Sequence, residues 1–114
     1  MAIKTRAENV ILVDLPPLPQ AIDELNAVME AACGRRECDV VIDLSRLEMV
    51  TSHCVGTLLA LRALLTQLQR RLVLHSICPE VLRVFELMGL NKILEFAPDK
   101  PTALQDLQAP HSMS

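Results

Sequence analysis

Aromatic side chains are nearly absent. The 114 residues include two phenylalanines and no tryptophan or tyrosine, 2% of the chain in all. Stacking of bases on side-chain rings is therefore excluded as a main binding device. The formal net charge of −3 points the same way, because phosphate backbones recruit basic surfaces. No nucleic-acid partner is expected. Long apolar runs are missing too: no stretch of about 18 uncharged apolar residues could form a membrane span. Met1 to Glu8 is mixed and polar rather than leader-like. The expectation is a cytoplasmic protein with no direct insertion into a membrane. Only three glycines occur, all at punctuation positions, so no glycine-rich phosphate loop can be built. The four cysteines, Cys33, Cys38, Cys54 and Cys78, lack C-x-x-C spacing. They read as reduced, mostly buried thiols rather than metal ligands.

What the chain does have is aliphatic bulk. The apolar fraction is 51%, supplied by Leu, Val, Ile, Ala and Met, enough for one domain with a real core. Val10 to Val13 is a compact run ended by Asp14-Leu15-Pro16-Pro17, a strand followed by a proline break. Residues 2 to 6 are a candidate short edge strand. Pro19 suits a first helical turn. Ile22, Leu25, Met29 and Ala32 then recur at helical spacing up to Gly34. Val40 to Leu44 is a second strand, whose continuous Val-Val-Ile implies burial on both faces. A long helix is predicted from about His53 to Gln69, and a strand over Leu72 to His75. A helix opened by Pro79 follows, with Val81, Leu82, Phe85 and Met88 inward and Gly89 as its stop. Ile93 to Phe96 reads as a strand, and Thr102 to Gln108 as a last helix. This alternation predicts an α/β domain: a mixed, largely parallel sheet of four to five strands with about four helices. Residues 1–109 would form the domain and 110–114 a disordered tail.

The most informative stretch runs from Val40 to Gly56. An apolar strand ends in Asp43, and a loop brings Thr51 and Ser52 to the mouth of the long helix. The first N–H groups of a helix lack intrahelical partners and sit at the positive end of the peptide dipole. A serine there can cap the helix, face an anion, or carry a phosphoryl group. Projected at 100° per residue, Cys54, Leu58, Leu61, Leu64, Leu65 and Leu68 share an arc of roughly 120°, the predicted core face. Ser52, Val55, Leu59 and Arg62 form a second stripe on another side. Two readings of that stripe stand: a second buried contact against a neighbouring helix, or an exposed partner-docking surface headed by Ser52.

Catalytic constellations are not found. Asp43 and Glu48 are the only acid pair near the loop, and a strand-end acid ordinarily caps a loop. His53, His75 and His111 are scattered and make no triad with Ser52. Neither an enzyme nor a cofactor is indicated.

From Asp39 to about Leu104 the chain resembles the STAS domain of bacterial anti-sigma factor antagonists. The resemblance rests on Val40-Val41-Ile42-Asp43-Leu44-Ser45, on Ser52 and Gly56 at the helix start, on Leu72-Val73-Leu74, Pro79-Glu80-Val81 and Met88-Gly89-Leu90. It implies the STAS fold, and a phosphoacceptor at Ser52. It also implies an anti-sigma factor that is a GHKL-type serine kinase as partner, and a PP2C-type phosphatase that reverses the modification. Thr51, His53, Val55, Leu59 and Arg62 are then the expected partner-binding residues. Three positions depart from the family motif: Thr51 replaces its aspartate, His53 its second hydroxyl residue, and Cys54 its first glycine. Asp14-Leu15-Pro16-Pro17 replaces the family's Gly-Glu-Leu-Asp. Two other roles known for STAS domains also stay open: an unphosphorylated subunit of an ABC lipid-transport system, and a stressosome-like scaffold. A homodimer remains open as well.

Overall fold

Strands and helices alternate in the computed structural model, which describes residues 3–7, 9–34 and 38–108. In chain order these are β1 (Ile3–Ala7), β2 (Val10–Asp14), α1 (Gln20–Gly34), β3 (Asp39–Asp43), α2 (Ser52–Gln67), β4 (Leu72–His75), α3 (Pro79–Leu87), a single 3₁₀ turn (Leu90–Lys92), β5 (Glu95–Ala97) and α4 (Lys100–Gln108). The strands lie side by side in sequence order. β1 runs antiparallel to β2, and the β2–β3, β3–β4 and β4–β5 pairs are parallel. The mixed, largely parallel sheet is the architecture the alternation predicts. The tail from 110 lies outside the described residues.

Alternate strand residues face two cores. Ile11, Val13, Val40, Ile42, Leu72 and Leu74 point to the larger one, under α1, α2 and α3. Right-handed parallel crossovers put all three helices on that side. Val10, Leu12, Val41 and Val73 face the other way and meet Ala103 of α4. Double-sided burial is what the Val-Val-Ile run of β3 implies. Leu58, Leu61 and Leu65 of α2 are at most 1% exposed, and full burial of such a side chain stabilises by about 1.5–3 kcal/mol.

Several faces differ from the helical projections. α1 buries Ala21, Leu25, Val28 and Ala32, while Ile22 and Met29 are half-buried at its margin. Val81 and Phe85 of α3 are buried but Met88 is 53% exposed. Met88 is the C-cap of that helix, where the chain turns away through left-handed Gly89 at φ 75°. The last strand is Glu95–Ala97 rather than Ile93–Phe96, because residues 90–92 form the 3₁₀ turn and Leu94 closes it by donating to the Leu90 carbonyl at 2.8 Å. α2 stops at Gln67, short of Gln69. Gln69 takes φ 62°, and the Arg70 and Gln69 amides bond the Leu65 and Thr66 carbonyls at 2.7 and 3.0 Å. That pair of bonds is the Schellman closure, usually marked by glycine.

Candidate functional site

Sheet register sets the stage for the mouth of α2. β3 delivers Asp43 to the C-terminal edge of the sheet, beside Asp14 of β2 and His75 of β4. The Asp43 carboxylate accepts from the Ser45 amide at 2.8 Å, so it fastens the start of the loop, as a strand-end acid should. Leu44 donates to the His75 carbonyl at 3.0 Å, and Leu47 to the Leu44 carbonyl at 3.0 Å. Leu44 and Leu47 are fully buried. One bond to the neighbouring strand, one turn and two buried leucines thus fix where the loop climbs to the helix. Glu48 is exposed and lines a separate surface cavity with Cys78 and Glu80.

Thr51 is the N-cap. Its backbone is extended (φ −116°, ψ 165°), and its hydroxyl oxygen accepts from the Cys54 amide at 3.2 Å. Threonine suits this place because the side chain takes one of the amide donors the helix cannot use. Ser52 is the first residue of α2. The capping duty is therefore already filled, and the exposed Ser52 hydroxyl is left over for other chemistry. His53 beside it is exposed, and its carbonyl accepts from the Thr57 hydroxyl at 2.8 Å. Met49, two residues before the cap, is 61% exposed. Sequence reasoning passed over Met49, since a lone methionine in a loop carries no periodic signal.

The stripe behind Ser52 is not one exposed surface. Val55 is only 5% exposed and belongs to the main core, which corrects its assignment to a partner-facing side. Leu59 is half-buried and packs against the same core. The Arg62 guanidinium reaches over to the loop after α3, its Nε donating to the Ile93 carbonyl at 2.9 Å. The physical reason is the position of α2. α1 packs along one flank and the chain after α3 is tied to the other, so the buried arc is wider than a single sheet contact would produce. The buried-contact reading of the stripe holds for Val55. Thr51, Ser52 and His53 remain together at the surface.

Cys54 follows on the core side of the helix start. Its side chain is fully buried, and burial pushes the thiol pKa up, keeping it protonated. On the opposite face of the sheet, His75 is 2% exposed and its Nδ1 lies 2.8 Å from the Ser76 hydroxyl. Desolvation lowers its pKa, while the neighbouring Asp43 carboxylate pulls the other way. Among the described residues no group of His, Cys, Asp and Glu could hold a metal ion, and no helix is long and apolar enough to cross a membrane.

The fold agrees with what comparison finds. A family model described as "Mlab, STAS domain" matches residues 18–95. The chain belongs to the STAS domain family. A Bordetella bronchiseptica protein named as an anti-sigma factor antagonist, BtrV, is 33% identical to this STAS domain over 81 residues, covering 71% of this chain and 70% of that protein. RsbS of Moorella thermoacetica, solved as a serine-to-glutamate variant, superposes with a TM-score of 0.78 at 24% identity, over 93% of this chain and 92% of that one. SpoIIAA of Bacillus, solved in its phosphorylated form, superposes with a TM-score of 0.69 at 20% identity, over 91% and 96% of the two chains. This STAS domain thus keeps the shared fold while carrying Thr51, His53 and Cys54 at its helix mouth.

Proposed function

We propose that this STAS domain is a regulatory binding protein, an anti-sigma factor antagonist that docks an anti-sigma factor through the mouth of α2 and is switched by phosphorylation of Ser52. The observation that carries the reading is the division of labour at the helix start: Thr51 caps, so the exposed Ser52 hydroxyl is free to react. A phosphoryl group there meets the positive end of the helix and amide donors without intrahelical partners. The modified domain stays folded, and about two new negative charges repel or desolvate badly against a partner that fits the neutral surface. Thr51, His53 and the exposed face of Leu59 form that surface, with Met49 at its rim. The expected modifier is the anti-sigma factor itself, as a GHKL-type serine kinase, with a PP2C-type phosphatase to reset it. BtrV, a relative above 30% identity, is named as an anti-sigma factor antagonist, which supports the binding role.

The test is phosphate incorporation with GHKL-type kinases of the same organism, read by intact mass on wild type, Ser52→Ala and Thr51→Asp. One phosphate on wild type and none on Ser52→Ala supports the switch. Thr51→Asp restores an acid next to the acceptor and should speed the reaction. No incorporation in any of the three, from kinases active on another substrate, would sink it. Thr51 in place of the motif acid favours one second reading, an unphosphorylated STAS subunit clamped to the ATPase of a lipid-transport system. That reading predicts stable co-purification with the ATPase, unaffected by Ser52→Ala.

A further inference from the structure

A groove of about 370 Å3 opens beside the far end of α2, walled by Arg62, Thr66, Arg70, Arg71, Ile93 and Glu95. Its volume lies in the range of small-molecule sites, about 300–1,000 Å3. Leu72 and Leu94 also line it, each about 4% exposed, so the floor is apolar and firm. Three guanidinium groups converge there in a protein whose net charge is negative. Two have carboxylate partners. Arg70 donates through Nε and Nη2 to Asp39 at 3.1 and 3.2 Å. Arg71 pairs with Glu95 and also donates to the Asp106 carbonyl at 2.8 Å. Arg62 is different. It uses only Nε, on the Ile93 carbonyl, and its two terminal nitrogens make no bond to any described residue. That single bond holds the fork in place without neutralising it.

We propose that this groove binds a phosphate group, free or carried on a small molecule, with Arg62 as the anchor. A guanidinium edge matches two oxygens of a phosphate at once, and Arg62 offers that edge above the Leu72 and Leu94 floor of the groove. The C-terminal dipole of α2 opposes an anion, but its last carbonyls are occupied by the Schellman bonds to Arg70 and Gln69. Arg62 lies ten residues from Ser52, about 15 Å along the helix axis. The groove is therefore a site separate from the helix mouth and does not rest on the switch proposed there.

The test is a titration of the isotope-labelled protein with inorganic phosphate, and separately with glycerol 3-phosphate, following backbone amide resonances. Saturable shifts confined to residues around Arg62, Thr66 and Ile93 are expected, with affinity at least tenfold lower in Arg62→Gln and partly restored in Arg62→Lys. Glu95→Gln should bind more tightly, because it removes an opposing carboxylate and frees Arg71. Tighter binding of glycerol 3-phosphate than of phosphate assigns a carried group, and equal binding assigns the free ion. Shifts that do not saturate, or that survive unchanged in Arg62→Gln, overturn the proposal. Should Arg62→Gln fail to fold, Glu95→Gln decides alone: affinity equal to or weaker than wild type overturns it.

Discussion

At its N-terminal end α2 presents Thr51, Ser52 and His53 to solvent, with no acid, lysine or arginine among them. At its C-terminal end three arginines gather by Asp39 and Glu95, across strands β3, β4 and β5. The first end uses one short hydrogen-bonding side chain to close the helix and leaves a hydroxyl idle. The second ties the helix to the sheet through charged groups that are nearly all engaged. A modification at the first end therefore changes the surface and little else, whereas a change at the second loosens the joint between α2 and the sheet. Between the two ends lies the buried middle of the helix, which tolerates neither.

The largest effect should come from that middle. Leu61→Glu places a charge at a fully buried position and costs several kcal/mol, a large part of the usual stability of about 5–15 kcal/mol. Val55→Glu belongs in the same class because Val55 is core, while Leu59→Glu at a half-buried position should cost about 1–2 kcal/mol. Urea melts of the three variants check the order. If Val55→Glu melted like wild type, the buried flank of α2 would be misplaced.

Next comes Asp39→Ala. Its carboxylate accepts from Arg70 and from the Arg71 amide at 2.8 Å, so truncation strands donors and should lower stability by about 2–3 kcal/mol. Arg70 keeps some access to water, which holds the loss below that of a fully buried pair. At the opposite end, Thr51→Ala should cost only about 1 kcal/mol as a lost cap, and Thr51→Asp nearly nothing. Equal losses in Asp39→Ala and Thr51→Ala would erase the contrast between the ends.

Two smaller effects sharpen it. The His75 pKa is lowered below its ordinary 6.5 chiefly by desolvation, so the unfolded chain takes up a proton first on acidification. Stability is then full above about pH 6.5 and falls as pH drops toward the folded value. A urea midpoint that declines from pH 7 to pH 5 should decline less in His75→Gln. Ser52→Asp should shift stability by no more than about 0.5 kcal/mol in either direction, since the charge is exposed and sits at the favourable helix end. A drop of many degrees in its melting temperature would mean that the serine is not at the surface.

Most of the fold was legible because the apolar runs of β2, β3 and β4 and the proline and glycine breaks are strong local signals. The Thr51-Ser52 helix start was legible for the same reason, since a hydroxyl pair ahead of a leucine-rich run has few structural meanings. The misreadings share a cause. Val55, Met88 and the Ile93–Phe96 strand each depend on what packs beside an element rather than on the element itself. A projection of α2 shows two apolar sides, but only the neighbours α1 and the post-α3 loop decide that both are covered. Likewise the end of α2 at Gln67 rests on a left-handed Gln69, a conformation the residue type does not advertise. The arginine groove was invisible because Arg62 read as part of the Ser52 stripe, and nothing in the sequence joins it to Arg70 and Arg71 until the fold brings Ile93 and Glu95 alongside.

The strands of the sheet stand in the order in which the ribosome makes them. Each new strand has only to dock on the edge left by the one before, across a short hairpin for β2 and a helical crossover for β3, β4 and β5, so loop-closure entropy stays modest at every step. Growth can thus proceed from the amino end without rearranging what is already in place. The growing edge is capped by β5, a strand of three residues, too short to template a further chain. Assembly by accretion thus ends on an edge that offers little backbone for further pairing.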